Sequence, residues 1–448
     1  MRRTVSCRGT LLSLALLSAG FAMAAEPKTR EQKVREDKAR VEAEGFWMYN
    51  DLPGAFEAAK KTGKPILVVL RCLPCEECVK LDDDLVDNDP AIRPLLEKFV
   101  CVRVVGTNGL DLSTFQFDTD QSFAVFMLNA DGAIYGRFGT RSHQTEWIGD
   151  VSLPGMAQAL QGALELHADY PNNRAALAGK RGPQPEAAAP EEYPALKGQY
   201  GSTLDYSGNV VKSCIHCHQI GDAQRELYRS RGEAIPETVL FPAPHPRSVG
   251  LTLDPKQRAT VLDVEAGSPA ASSGFRPGDA IRTLDGQPLV SIADLQWVLH
   301  RAAPEGAELK AVVERGGQST TLTLALPEGW RRQGDLAWRA SSWTLRRMTT
   351  GGLYLEALSD EERKSRRIPA GSMALLVKHA GEYGPHAAAL NAGARKGDVL
   401  VAFDGKSNLM TESDLLAYGV TARRPGDQVP VTLLREGRRI NIRIPMQE

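Results

Sequence analysis

Residues 65–83 read PILVVLRCLPCEECVKLDD. An apolar, β-branched run is followed at once by cysteines spaced C-x2-C-x2-C and then by a helix-favouring stretch, so 65–71 predicts a buried strand that turns directly into a helix. Two cysteines three apart at a helix N-terminus suit dithiol chemistry: the spacing lets the sulfurs close a disulfide, and the helix dipole lowers the pKa of the first thiol. Outward from this stretch, 51–62 predicts a helix ended by Gly63. Strands follow at 99–105 and 123–128, then the turn 129–132 and a strand partner at 134–138. Helices alternating with apolar strands make 46–168 an α/β unit.

That arrangement of helix, strand, cysteine motif and closing hairpin resembles a thioredoxin-like domain of the exported, thioredoxin-7 type. The resemblance implies that Cys75 is the exposed nucleophile, Cys78 its resolving partner and Cys72 an extra thiol on the approach turn. Two features depart from the family. The position of its cis-proline falls near Phe123, and no proline occurs between Pro94 and Pro154; Glu76 and Glu77 lie between the cysteines, where carboxylates raise a thiol pKa. A soft metal, copper or zinc, or an inert disulfide are the other readings of the motif. Cys101, within a strand of valines, reads as a small buried apolar residue.

The N-terminus carries Arg2, Arg3 and Arg8, an apolar run over 11–22 and Ala22-Met23-Ala24, the layout of a cleavable secretory signal over 1–24. Export to the periplasm or beyond, as a soluble chain after cleavage, is therefore expected, with no membrane span in the mature chain. The net charge of −1, with acids and bases intermixed, gives no indication of nucleic-acid binding. Residues 25–45 are charged throughout and predict a solvated helical arm. Residues 169–200, rich in Pro, Ala, Gly and charge, predict a linker.

Residues 213–220 read SCIHCHQI. At this composition a chance CxxCH is expected only about 2 times in 1000. The spacing is that of a c-type haem site, in which Cys214 and Cys217 hold the porphyrin and His218 ligates the iron. No methionine lies between Met156 and Met348, so His245, in a proline-dense stretch, is the expected second ligand. A zinc site on the same residues, completed by His216 or His245, or a local disulfide are the alternatives for segment 201–246.

The remainder holds an internal repeat. Ser268-Pro269-Ala270-Ala271, Gly278-Asp279 and Asp285-Gly286 recur as Pro385-His386-Ala387-Ala388, Gly397-Asp398 and Asp404-Gly405. The copies, 247–328 and 351–448 with a connector at 329–350, resemble bacterial PDZ domains. The resemblance implies a carboxylate-binding loop at Ser248, Val249, Gly250 and Leu251, with a weaker counterpart at Gly351, Gly352 and Leu353. It also implies peptide capture by strand addition beside a helix that starts at Ser291, with Asp294 as a capping partner. The signal, thioredoxin-like domain, CxxCH and PDZ pair together resemble the thioredoxin/PDZ (seleno)protein family of planctomycete-type bacteria, some of whose members carry selenocysteine in the first motif.

The expected fold is multidomain, α/β plus mainly β. The expected function is exported thiol-disulfide redox or electron-transfer chemistry, with haem c at the CxxCH and exported thiol or disulfide proteins as partners, directed by PDZ-bound C-termini. A non-enzymatic PDZ adaptor whose cysteines bind zinc or copper is the rival. Because no Gly-Asn-Ser-Gly-Gly run occurs, the chain is not expected to be a serine protease.

Overall fold

The computed structural model describes residues 28–71, 89–121, 123–140 and 151–448. The signal-like segment and Cys72, Cys75 and Cys78 lie outside the described residues.

The first sheet has the order β1-β3-β2-β4-β5, with β1 Met48–Tyr49, β2 Ile66–Arg71, β3 Val100–Val105, β4 Phe123–Leu128 and β5 Ile134–Thr140. β2 is parallel to β3 and antiparallel to β4, and Arg71 is in register with Val105 on one side and Phe123 on the other. Every β2 side chain is buried because both faces of the sheet are covered. One face, with Leu67 and Val69, packs on Met156, Ala159, Leu160 and Ala163 of a helix spanning Leu153–Ala168. The other, with Ile66, Val68 and Leu70, meets Ala55 and Ala59 of the helix Leu52–Thr62, and also Tyr193, Leu196, Ile215, Ile220 and Ala223. The CxxCH segment is therefore a wall of the thioredoxin-like core and not a separate unit.

Two compositional readings are corrected by the packing. The charged segment forms a helix, Arg30–Glu44 (α1), that is docked, not solvated: Val34 and Val41, seven apart on one face, are buried, and Glu31 accepts from the N–H groups of Val210 and Val211. The Pro/Ala-rich stretch 169–200 lies against the sheet, burying Leu177, Lys180, Tyr193 and Leu196.

Both repeats fold as strands around one longer helix, Ile292–Arg301 in the first and Glu412–Ala422 in the second. In the first, β6 Leu251–Leu253 pairs with β7 Val261–Val264, and a sheet of order β11-β10-β8-β9 is formed by β8 Ala280–Leu284, β9 Gln287–Pro288, β10 Ala307–Arg315 and β11 Gln318–Leu326. In the second, β12 Leu353–Ala357, β13 Leu375–Ala380, β14 Val399–Phe403, β15 Gln428–Arg435 and β16 Arg438–Pro445 lie in sequence order in one sheet. The repeated Gly-Asp pairs have a shared physical cause. Asp279 is buried and accepts two hydrogen bonds from Arg315, at 2.6 and 2.7 Å, and one from the Arg276 N–H; Asp398 does the same with Arg435, at 2.7 and 2.8 Å, and with Arg395. Each carboxylate fixes the turn into a strand to the end of a long strand.

The first repeat is bolted to the thioredoxin-like sheet. Its helix α2, here Ile292–Arg301, begins at the N-cap Ser291, whose hydroxyl accepts from the Asp294 N–H as expected, while the Asp294 carboxylate does not complete the capping pair. It instead accepts from the N–H groups of Arg137 in β5 and Val290, both at 3.0 Å, and pairs with Lys180 at 3.0 Å in full burial. Trp297 donates to the carbonyl of Gly179 at 2.9 Å, and Arg258 reaches both oxygens of Glu165 at 2.7 Å. The connector is held equally firmly: Arg339 meets Asp118 at 2.5 Å and Asp120 at 3.1 Å, and Ser341 donates to both oxygens of Asp120.

Candidate functional site

The second cysteine motif sits at the end of the first sheet where β2 ends at Arg71. Val105, the residue of β3 paired with Arg71, is followed by Gly106, and Cys72 follows Arg71 in the chain. Gly106 has φ +77°, and a Cβ there would stand 2.8 Å from the Cys214 sulfur, so glycine makes room for that thiol. Thr107 donates its N–H and its hydroxyl to the Ile215 carbonyl, at 2.9 and 3.0 Å, and Asn108 bridges the Ile215 N–H and the Ser213 carbonyl. The CxxCH is thus anchored to the β3 end by its backbone.

Cys214 is extended, at φ −80° and ψ 127°, and Cys217 is the first residue of helix α3, Cys217–Ser230. Both are free thiols. Burial pushes Cys214 up to about 11, and burial with the neighbouring Cys214 pushes Cys217 up to about 12, overriding the helix N-terminus that would lower it. The His216 and His218 rings stack, 5.8 Å apart and 9° from parallel. Burial holds His216 neutral, down to about 4. Burial also works against charge on His218, but Asp222, whose carboxylate lies 3.6 Å away, and Asp120 outweigh it and raise its pKa.

These residues do not fit a covalently held haem in the expected way. The three groups would have to meet one face of one helix turn, yet Cys214 precedes the helix and its thiol lies against Gly106. His245 is buried away as a cap, its Nδ1 accepting from the Arg247 N–H at 3.2 Å at the start of the turn Pro246–Val249. Nor do the zinc and disulfide alternatives gain support at this segment: no group of three His, Cys, Asp or Glu among the described residues could hold a metal, and the two thiols are unbonded. Cys101 is buried in β3, donates its thiol to the Leu96 carbonyl and is pushed by burial up to about 12, consistent with a packing role.

The two loops expected to bind peptide differ. In the first repeat, Ser248, Val249 and Gly250 form a tight turn in which the Ser248 N–H donates to His245 and the Gly250 N–H to Arg247. Gly250, at φ +85°, admits Ser268 so closely that a Cβ would lie 2.0 Å from its hydroxyl. Leu251 leads directly into β6, which pairs with β7 on one side; its other edge carries no strand among the described residues.

In the second repeat the corresponding edge is already taken, so Gly351, Gly352 and Leu353 do not form an open loop. A helix spanning Ser342–Thr350, α4, ends at Gly351, and the N–H groups of both Gly351 and Gly352 donate to the Arg346 carbonyl. Glu412, at the start of the helix Glu412–Ala422 (α5), accepts from the Leu355 N–H of β12 at 2.8 Å while it pairs with Arg346 at 2.6 Å; the two side chains are almost wholly buried. Leu345 and Met348 pack against Leu416 and Val420 of α5. Sequence reasoning missed this cap, although Leu345 and Met348, three apart in the connector, were its signal.

Comparison with known proteins identifies two of the modules. Residues 47–130 match the thioredoxin-like family model and residues 247–326 the PDZ domain model. Curated relatives include a probable periplasmic serine endoprotease, DegP-like, of Pseudomonas savastanoi pv. phaseolicola, 27% identical over 199 residues, covering 44% of this chain and 39% of that protein. Metalloprotease MmpA of Caulobacter vibrioides is 39% identical over 85 residues, 19% of this chain and 20% of that one. Among solved structures, the HtrA-type protease AlgW with decapeptide is 19% identical, covers 36% of this chain and 45% of that one, and has a TM-score of 0.21. The DegP-like relatives correct the expectation that a serine protease is excluded, because the proteins this chain is similar to are named as serine endoproteases. The chain spans about two fifths of the length of those curated relatives. They are named periplasmic, and no helix among the described residues is long and apolar enough to cross a membrane. The chain is thus a multidomain α/β protein that carries a thioredoxin-like domain and a PDZ domain.

Proposed function

We propose that this is an exported thiol-redox protein of the thioredoxin/PDZ type that takes up the C-terminal segment of a protein partner on its first PDZ domain. One observation carries the reading. The β6 edge is bonded on one side only, whereas the matching β12 edge is stopped by Glu412. Of the two corresponding edges, β6 is therefore the open template for strand addition, bordered by α2 and entered through the turn at Gly250. Because Asp294 of α2 is tied to β5, a captured peptide would be held at a fixed place relative to the thioredoxin-like sheet. The reactive thiols are assigned to Cys75 and Cys78, since burial leaves almost no thiolate at Cys214 and Cys217 near neutral pH. Haem c at Cys214, Cys217 and His218, with His245, is not part of the reading, and zinc or copper at the first motif is its alternative. Binding of a C-terminal peptide library to the full chain, with free and amidated ends, tests the capture. A preference for free ends is expected, and no binding to either set would overturn it. A redox titration with thiol alkylation, in which Cys75→Ser abolishes the reversible couple, tests the thiol assignment.

A second reading rests on the names of the DegP-like relatives: serine-endoprotease activity toward exported proteins. Hydrolysis of unfolded casein that stops on treatment with a serine-directed fluorophosphonate would support it.

A further inference from the structure

A cavity of about 290 Å³ opens where the thioredoxin-like sheet, α3 and α2 meet. Its apolar lining is largely aromatic, from Phe115, Phe117, Phe126, Phe138 and Trp297. Set into this lining is the buried guanidinium of Arg137. Its Nε donates to the Gln116 carbonyl at 2.9 Å and one terminal nitrogen to the Lys180 carbonyl at 2.6 Å, while the other, Nη1, has no partner among the described residues. The group is stacked 4.0 Å from the Trp297 ring centre and 5.3 Å from that of Phe126. No carboxylate among the described residues is hydrogen-bonded to it: Asp294 accepts from its backbone N–H and pairs with Lys180.

The rest of the lining is rich in donors. The Arg225 Nε and the Gln296 amide nitrogen are also buried without partners, against one such acceptor, the second oxygen of Asp118, whose first is already held by Arg339. His300 is kept neutral, its pKa pushed to about 3 by burial and nearby arginines; its Nδ1 accepts from the Ala243 N–H, which leaves the proton on Nε2. A buried cation without a carboxylate and unpartnered N–H groups in an aromatic cavity define the missing component by its chemistry.

We propose that this cavity binds a small organic carboxylate with a flat apolar body, the carboxylate meeting Arg137 and the body lying among the aromatic rings. The site is separate from the β6 edge and does not depend on the peptide-capture reading. The same chemistry is offered by a free aromatic acid and by a peptide ending in phenylalanine.

Calorimetric titration of the full chain with 3-phenylpropionate, with 3-phenylpropanamide and with a pentapeptide ending in phenylalanine separates the cases. Saturable binding of the acid, about tenfold or more tighter than the amide, is expected from a charge-assisted contact. A pentapeptide tighter than the acid would assign the site to a chain terminus, and the reverse order to a free acid. Arg137→Met should remove the preference for acid over amide. Since Arg137 also holds two carbonyls, Ala293→Leu, which fills the cavity from α2 and leaves the guanidinium in place, is the second variant; it should abolish binding of acid and amide alike. Equal affinity for acid and amide, no saturable binding to folded protein, or acid binding unchanged in Ala293→Leu would each overturn the proposal.

Discussion

Replacing Asp294 by alanine should loosen the first PDZ domain from the thioredoxin-like sheet. The carboxylate accepts from two backbone N–H groups, of Arg137 and Val290, and pairs with Lys180, both side chains being 1% exposed. Removing it strands an ammonium in the interior, which costs about 3–5 kcal/mol. The two unsatisfied N–H groups add about 1–3 kcal/mol each, reduced wherever water enters. A total of about 5 kcal/mol is expected, and for a unit of this size a fall of about 10 °C or more in the first calorimetric transition. Burial already lowers the Lys180 pKa against the pull of Asp294, so the stranded lysine partly relieves the loss by giving up its proton. The double variant Lys180→Met with Asp294→Asn should therefore recover much of the loss, since it leaves no buried charge and keeps one carbonyl acceptor. Differential scanning calorimetry of the single and double variants measures both effects. A cost below about 1 kcal/mol for Asp294→Ala, or a double variant as unstable as the sum of its singles, would refute the idea that this buried pair joins the domains.

Three further outcomes follow from the same structure. His300 is neutral in the fold down to about pH 3 but takes up a proton near its ordinary value when unfolded, so stability should fall as pH drops from about 6.5 toward 3, by about 2 kcal/mol at about pH 5; His300→Gln should flatten that part of a pH–stability curve. Cys101, Cys214 and Cys217 should resist iodoacetamide at neutral pH in native protein and react on unfolding, as mass spectrometry of alkylated peptides would report. Glu412→Ala should free the Leu355 N–H and leave Arg346 unpaired, costing about 3–5 kcal/mol and speeding amide exchange in β12; unchanged exchange there would show that Glu412 does not close the edge.

Much of the fold was legible because each element carries its own local signal. The all-buried β2, the turn at Asn129 to Gly132 and the Gly-Asp repeats each read correctly, the last because a buried aspartate must bring its arginine with it. Packing between modules was not legible. Lys180 sits in a stretch whose composition is that of a linker, and only its burial against Asp294 makes it structural. The same holds for α1, where two valines among charges suffice once Arg35 and Glu31 find backbone partners on 206–211. At the CxxCH, spacing alone suggested a haem, while burial of both thiols is a tertiary property that spacing does not encode. The aromatic cavity had no sequence signal, since its lining comes from widely separated segments.

The central claim, that the first PDZ domain offers the open strand edge, is tested most directly by hydrogen exchange with mass spectrometry on the full chain, with and without a saturating C-terminal peptide selected from the library. Amides of 251–253 should gain protection while those of 353–357 stay as they were. Protection confined to 353–357, or absent from both strands while the peptide is bound, would contradict the account.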